Sequence, residues 1–325
     1  MTDCKNIKMM DIADEREHAG ERLPSVGVML ATYNGERFVG EQIDSILAQR
    51  GVIPTIYVRD DGSIDGTLAI VRAYVEAHPG RVVILPAAPL RFGAACGNFL
   101  SMVVDLHMSP HAYFAFSDQD DIWLPEKLSR GVAQLEETGA SGYASNLTAF
   151  SEAEDREWVI AKASPQRSFD HLFQAASAGC TYVFDAGAAA LIASRIGRIE
   201  DHYLGGMSHD WLCYAICRSH GLSWIIDDWS GIRYRQHDNN QFGALPGLGG
   251  ALKRLSLMYA GWYRDTMLRN RAFLDAGNIA EQAIFDRMAR LSFRDRLWLA
   301  AQVSAFRREP KARLALAGAL VAGFV

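Results

Sequence analysis

Short, nearly continuous apolar runs alternate with longer stretches of helical spacing along the first part of the chain. Ser25 to Thr32 (S-V-G-V-M-L-A-T) is the first such run, as expected of a parallel strand covered on both faces, and it stops at the turn Tyr33-Asn34-Gly35. Phe38 to Gln49 then carries Phe38, Ile43, Ile46 and Leu47 near helical spacing. Pro54 to Arg59 predicts a second strand that ends in Asp60-Asp61-Gly62-Ser63, and Thr67 to Ala77 predicts a helix. Val82 to Leu85 reads as a third strand, Asn98 to Leu106 as a helix, and Tyr113 to Phe116 as a short buried strand. This β-α-β-α rhythm implies an α/β fold built on a doubly wound parallel sheet, with its ligand site outside the carboxyl ends of the strands.

Beyond Pro125 the pattern is more mixed. Pro125 to Leu135 predicts a helix with proline in its first turn, and Gly142 to Phe150 a strand. Residues 151–168 read as a polar loop, and Ala178 to Phe184 as a short apolar element. Ser208-His209-Asp210 reads as the cap of an aromatic-rich helix over Trp211 to Ser219, followed by a short strand from Trp224 to Asp227. The run from Tyr234 to Asn240 reads as a polar loop, Phe242 to Gly250 is glycine-rich, and residues 251–308 predict two or three helices.

With 325 residues, 49% of them hydrophobic, the chain can bury a large core, which suits one sizeable α/β domain with an appendage. The net charge of -5 is unevenly spread: residues 251–325 carry thirteen Lys/Arg against six acids. An acidic body argues against nucleic acid as a partner, and a basic tail suits an anionic surface such as a membrane face. The five cysteines (Cys4, Cys96, Cys180, Cys213, Cys217) have neither zinc spacing nor a disulfide framework, as expected in the reducing cytoplasm. Residues 1–23 read as a loose polar tail without signal-peptide character, and no apolar run reaches the ~20 residues that span a bilayer.

Candidate chemistry gathers at three strand ends: Thr32/Asn34, Asp60/Asp61 and Asp118/Asp120. The last belongs to Ser117-Asp118-Gln119-Asp120-Asp121-Ile122-Trp123, where three carboxylates fall within four positions. Their repulsion is relieved by a cation, and hard oxygen ligands suit Mg²⁺ or Mn²⁺ shared with a diphosphate. Amides and carboxylates at the other two ends suit a base and a ribose. No G-x-G-x-x-G follows the first strand and no P-loop occurs, which argues against a dinucleotide or P-loop nucleotide site. Each motif also has a plain structural reading, as an acidic turn or a helix cap.

Five ordered motifs together carry a resemblance. They are Ala31-Thr32-Tyr33-Asn34-Gly35, Asp60 to Thr67, Ser117 to Trp123, His209-Asp210-Trp211 and Tyr234-Arg235-Gln236-His237. In this order they resemble family-two glycosyltransferases of the GT-A fold, in particular the rhamnosyltransferase-like enzymes of bacterial polysaccharide and O-antigen assembly. The resemblance covers roughly residues 25–242 and implies a mixed, mostly parallel sheet flanked by helices. It divides the chain into a nucleotide-binding half (24–124), an acceptor-binding half (125–242) and a basic helical C-terminal extension (251–325). It further implies inverting transfer of a sugar from a nucleoside diphosphate, assisted by Mg²⁺ or Mn²⁺. By position, Thr32, Asn34, Asp60, Asp61 and Asp118 border the nucleotide, Asp120 and His237 ligate the metal, and Asp210 is the general base. Gly179, Cys180, His209, Trp211 and Arg235 line the acceptor and sugar pocket. The best-matching donor is dTDP-L-rhamnose and the acceptor a growing lipid-linked glycan at the inner membrane, with membrane contact or a homodimer through the C-terminal helices. One departure from the family is the longer stretch Arg91-Phe92-Gly93-Ala94-Ala95-Cys96-Gly97 before Asn98. Other readings are a donor with UDP or GDP, a haloacid-dehalogenase-like phosphatase built on Asp118-x-Asp120, and a non-catalytic sugar-nucleotide module.

Overall fold

The computed structural model describes residues 23–88, 91–197, 206–237 and 261–324. The expected N-terminal tail, the loop beyond His237, the glycine-rich segment and the start of the C-terminal helices lie outside the described residues. The first half follows the expected rhythm: β1 (Ser25–Thr32), α1 (Val39–Leu47), β2 (Ile53–Asp60), α2 (Thr67–Ala77), β3 (Val82–Ile84), α3 (Ala95–Leu106) and β4 (Tyr113–Ser117). There follow β5 (Ile122–Trp123), α4 (Lys127–Thr138), β6 (Gly142–Ser151), β7 (Arg156–Ile160), β8 (Val183–Asp185), α5 (Ala186–Ile196), α6 (His209–Ser219) and β9 (Trp224–Arg235). The C-terminal region contributes α7 (Trp262–Asn270), α8 (Ile279–Arg290), α9 (Phe293–Ala301), α10 (Val303–Phe306) and α11 (Pro310–Ala322).

The strands form one sheet in the order β3-β2-β1-β4-β8-β6-β9-β5, with β7 also on β6. β1 through β4 are parallel, as nearly continuous apolar runs require, since both faces are covered. β8 then runs antiparallel between β4 and β6, β9 is parallel to β6, and β5 is antiparallel on the far side of β9. The sheet is therefore mixed and mostly parallel. Two apolar layers flank it. One joins α1, α2 and α4 to the sheet through residues such as Ile43, Val71 and Leu128. The other joins α3, α5 and α6 and continues into the C-terminal helices through Phe285, Phe306 and Leu320.

Four local expectations need correction. Residues 151–168 are not all loop: β7 pairs back on β6 from Leu147 to Ser151, a hairpin that its charged sequence (R-E-W-V-I) disguises. β9 runs on to Arg235 rather than stopping at Asp227, so Tyr234 and Arg235 sit on a strand paired with Ala149 and Phe150. α5 is a further helix; its alanines carry little periodic signal, though Asp185 caps it by accepting the Ala188 N–H at 2.6 Å. Pro125 precedes α4, which starts at Lys127.

Candidate active site

Register brings the carboxyl ends of β1, β2 and β4 to one rim: Thr32 lies opposite Asp60, and Leu30 opposite Ser117. The chain winds outward from β1 to β3 and then crosses back to β4, so a switch-point crevice opens between β1 and β4, where such sheets take ligands.

The first two polar strand ends form the crevice wall. Asn34 adopts left-handed backbone (φ 47°), which asparagine tolerates. Its N–H donates to Ser63 Oγ at 2.8 Å and its Oδ1 accepts the Ile64 N–H at 2.9 Å. Asp60 accepts from Thr32 Oγ1 (2.9 Å), Ser63 Oγ (2.5 Å) and the N–H groups of Gly62 (3.0 Å) and Ser63 (2.7 Å). Asp61 accepts the N–H groups of Phe92 (3.0 Å) and Gly93 (2.8 Å), which fastens the unusual 91–97 stretch to the rim. The structure thus brings Thr32, Asn34, Asp60 and Asp61 together and engages all four in fixing the loops around the crevice.

The carboxylate cluster follows β4. Gln119, which sequence reasoning passed over as the variable position between two aspartates, clamps this turn to the end of β1. Its Oε1 accepts the Tyr33 N–H (2.9 Å) and its Nε2 donates to Tyr33 O (3.0 Å). Asp120 Oδ2 lies 2.8 Å from His237 Nε2, and the His237 ring stacks on Phe38 with centroids 5.1 Å apart. Arg235 is buried between the rings of Phe38 and Phe150, each 4.7 Å away. Its guanidinium donates to Asp120 O (3.0 Å), Glu41 and Glu152. Arg235 is therefore an internal strut rather than a pocket-facing group.

Asp118, Asp121 and Cys180 converge, with ligand atoms within 4.8 Å of one another. Burial, then the charges of Asp120 and Asp210, push the Asp118 carboxyl up to about 7. Burial, then the charges of Asp120 and Asp118, raise Asp121 well above the usual range, and burial also raises the Cys180 thiol. Asp210 is thus close enough to Asp118 for its charge to bear on it, although 92 positions separate them in the chain. It stands in the first turn of α6, where Oδ1 accepts from Ser208 Oγ and from the Trp211 N–H at 2.7 Å. Ser208 therefore serves Asp210 instead of capping the helix, which begins at His209, two residues before the expected start.

His209 packs between Phe99 (centroids 4.3 Å) and Phe116 (5.2 Å), and a side chain at Gly179 would overlap its ring. Burial lowers the His209 imidazole, keeping it neutral. Gly179 and Cys180 lie in a 3₁₀ turn that follows this packing. Trp211 is in the core, its Nε1 donating to His171 O at 2.8 Å, and the structure does not bring it to the crevice.

Asp120 and His237 could together hold a dication at the rim. Adjacent ligands of an octahedral ion, each ~2.1 Å from it, stand ~3 Å apart, and Asp120 Oδ2 and His237 Nε2, here joined by a hydrogen bond, are 2.8 Å apart. The buried Asp118–Asp121–Cys180 group suits it less, because a thiol is a soft ligand. Lys127 is also buried, its Nζ 3.6 Å from the Trp123 ring centroid, and burial draws its ammonium down to about 7.

Residues 27–194 match the family model described as glycosyl transferase family 2. This chain is a family 2 glycosyltransferase. The enzyme is 36% identical over 240 residues to the dTDP-rhamnosyl transferase RfbG of Shigella flexneri, a match covering 74% of this chain and 82% of RfbG. It is 25% identical over 213 residues to the glucosyltransferase WfgD of Escherichia coli, covering 65% of this chain and 76% of WfgD. The crystal structure of S. aureus TarS in complex with UDP superposes with a TM-score of 0.52 at 15% identity, over 90% of this chain and 83% of that one. The glycosyltransferase thus has the GT-A architecture with a helical C-terminal region, and the phosphatase and non-catalytic readings fall away.

Proposed function

We propose that this glycosyltransferase moves L-rhamnose from dTDP-L-rhamnose to a hydroxyl of a growing, lipid-linked cell-surface glycan, with inversion at the anomeric carbon. The donor rests on the similarity to the dTDP-rhamnosyl transferase. The chemistry rests on one observation above all: a separate carboxylate, Asp210, is near enough to Asp118 for its charge to help raise that carboxyl. With Oδ1 held by Ser208 and the Trp211 N–H, Oδ2 carries no hydrogen bond among the described residues. Asp210 Oδ2 takes the proton of the acceptor hydroxyl as its oxygen bonds to the anomeric carbon. The bond from that carbon to the phosphate oxygen breaks on the opposite side, and the electron pair leaves with the nucleoside diphosphate. Thr32, Asn34, Asp60 and Asp61 shape the nucleotide crevice, and Asp118 borders the diphosphate. Gly179, Cys180 and His209 back the sugar pocket. Asp120 and His237 would hold Mg²⁺ or Mn²⁺, which stabilises charge on the leaving diphosphate when bound.

The acceptor's lipid would lie at the inner membrane surface. No helix among the described residues is long and apolar enough to cross a membrane. Support for surface contact comes from exposed apolar side chains on the C-terminal helices, notably Leu314 (76% exposed), Phe293 (68%) and Val321 (48%), set among Arg294, Arg296 and Lys311.

The test is nucleoside diphosphate release from a panel of dTDP-, UDP- and GDP-sugars with Mn²⁺ or Mg²⁺. Asp210→Asn is expected to lower kcat by about 10²–10⁴-fold while nucleotide binding persists. Full turnover by that variant would remove Asp210 as the base, and turnover with only a UDP- or GDP-sugar would remove rhamnose.

A further inference from the structure

Asp121 follows the D-x-D directly, yet it is only 1% exposed. Its Oδ1 accepts the backbone N–H of Arg235 at 3.3 Å, and its Oδ2 has no hydrogen-bond partner among the described residues. An apolar residue would be cheaper to bury than such a carboxylate. What the carboxylate does is join two chain segments. Asp120 precedes β5 and His237 follows β9, and these two strands meet in a short ladder of two pairs, Ile122 with Arg233 and Trp123 with Ile232, continued on the far side by the Leu124 N–H donating to Gly231 O at 2.9 Å. A slip of one residue would carry His237 ~3.3 Å along the strand and turn its side chain to the other face. The Asp121 carboxylate extends the ladder by one more bond, to the residue two before His237, beside the Arg235 bond to Asp120 O.

We infer that Asp121 is a positioning residue: it fixes the register in which His237 meets Asp120. Resting on the reading of Asp120 and His237 as metal ligands, the inference assigns a function to the third carboxylate of the motif.

The experiment compares Asp121→Asn, which keeps an acceptor for the Arg235 N–H, with Asp121→Ala, which does not. Amide hydrogen exchange over residues 233–237 of the metal-free protein reads the register bond itself. Exchange is expected to quicken at least about tenfold in Asp121→Ala and to stay near wild type in Asp121→Asn. Titration with Mn²⁺ alone is expected to show a Kd about 10–100-fold weaker for Asp121→Ala and little changed for Asp121→Asn, as for residues that orient metal ligands. Unchanged exchange in Asp121→Ala overturns the positioning role. A wild-type protein that binds no Mn²⁺ overturns the metal reading of Asp120 and His237, while exchange still decides the register bond.

Discussion

Between the two aspartates of the D-x-D, Gln119 uses both ends of its amide on the backbone of Tyr33, and this small arrangement carries a large positional constraint. Removing it in Gln119→Ala is expected to weaken donor binding about thirtyfold with little change in kcat. The two hydrogen bonds are each worth ~1 kcal/mol and serve ground and transition states alike. A steady-state KM-against-kcat split checks this. Gly179 is the complementary case. Any Cβ there overlaps the His209 ring, so Gly179→Ala is expected to cost about 1–3 kcal/mol of stability, seen as a lower denaturation midpoint, as the buried ring is forced aside. In the sequence Gln119 was an x, and Gly179 was placed at the sugar pocket by resemblance only. Their actual roles were not legible locally, because each is defined by a partner 86 or 30 positions away.

At the scale of elements, β9 does most to assemble the site. It spans the second half of the sheet, lies along β6 and delivers Arg235 and His237 to the rim. Near its start Asp227 ties it to α4 and β6, accepting from Arg130 Nε (2.6 Å) and Tyr143 Oη (2.9 Å). Burial by itself would raise this carboxyl, but the hydrogen bonds from Arg130, Tyr143 and the Trp229 N–H outweigh it and hold it below the usual range. Its stabilisation is therefore fully present above about pH 4 and is lost as pH falls through the lowered value. Asp227→Asn is expected to cost about 1–2 kcal/mol at pH 7 and progressively less in acid, checked by denaturant unfolding across that range. The sequence suggested a four-residue strand here. Polar and aromatic residues from Asp228 to Arg235 break the apolar run, and pairing with β6 overrides that local signal.

For the molecule as a whole, the C-terminal helices share the core of the sheet's second layer. His171 meets Glu281 at 2.9 Å, Ser219 donates to the same carboxylate at 2.6 Å, and Arg308 reaches Asp170, all of them buried. Truncation before residue 261 is therefore expected to leave these polar groups unmatched and to give a protein without a cooperative unfolding transition, checked by calorimetry. The outward faces of α9 and α11 make the opposite statement. Paired Leu314→Glu and Val321→Glu substitutions are expected to abolish flotation with phosphatidylglycerol vesicles while leaving Tm unchanged. Wild-type protein that ignores vesicles and dimerises in solution would instead make this face a protein interface.

The alternating apolar runs alone determined β1 to β4 and their helices, because a parallel strand buried on both faces has to be apolar throughout. The order of the polar strand ends determined the family, since five motifs in sequence are a strong constraint even where each is weak. The motif order already set Asp120 with His237 and Asp118 toward the nucleotide; only the tertiary structure decided that Asp121 turns inward to the Arg235 backbone and that Asp118 feels the charge of Asp210. Asp121 by itself looks like the other two aspartates in a sequence. Burial, register and neighbouring charge make them different, and those arise only when β5 and β9 close the sheet.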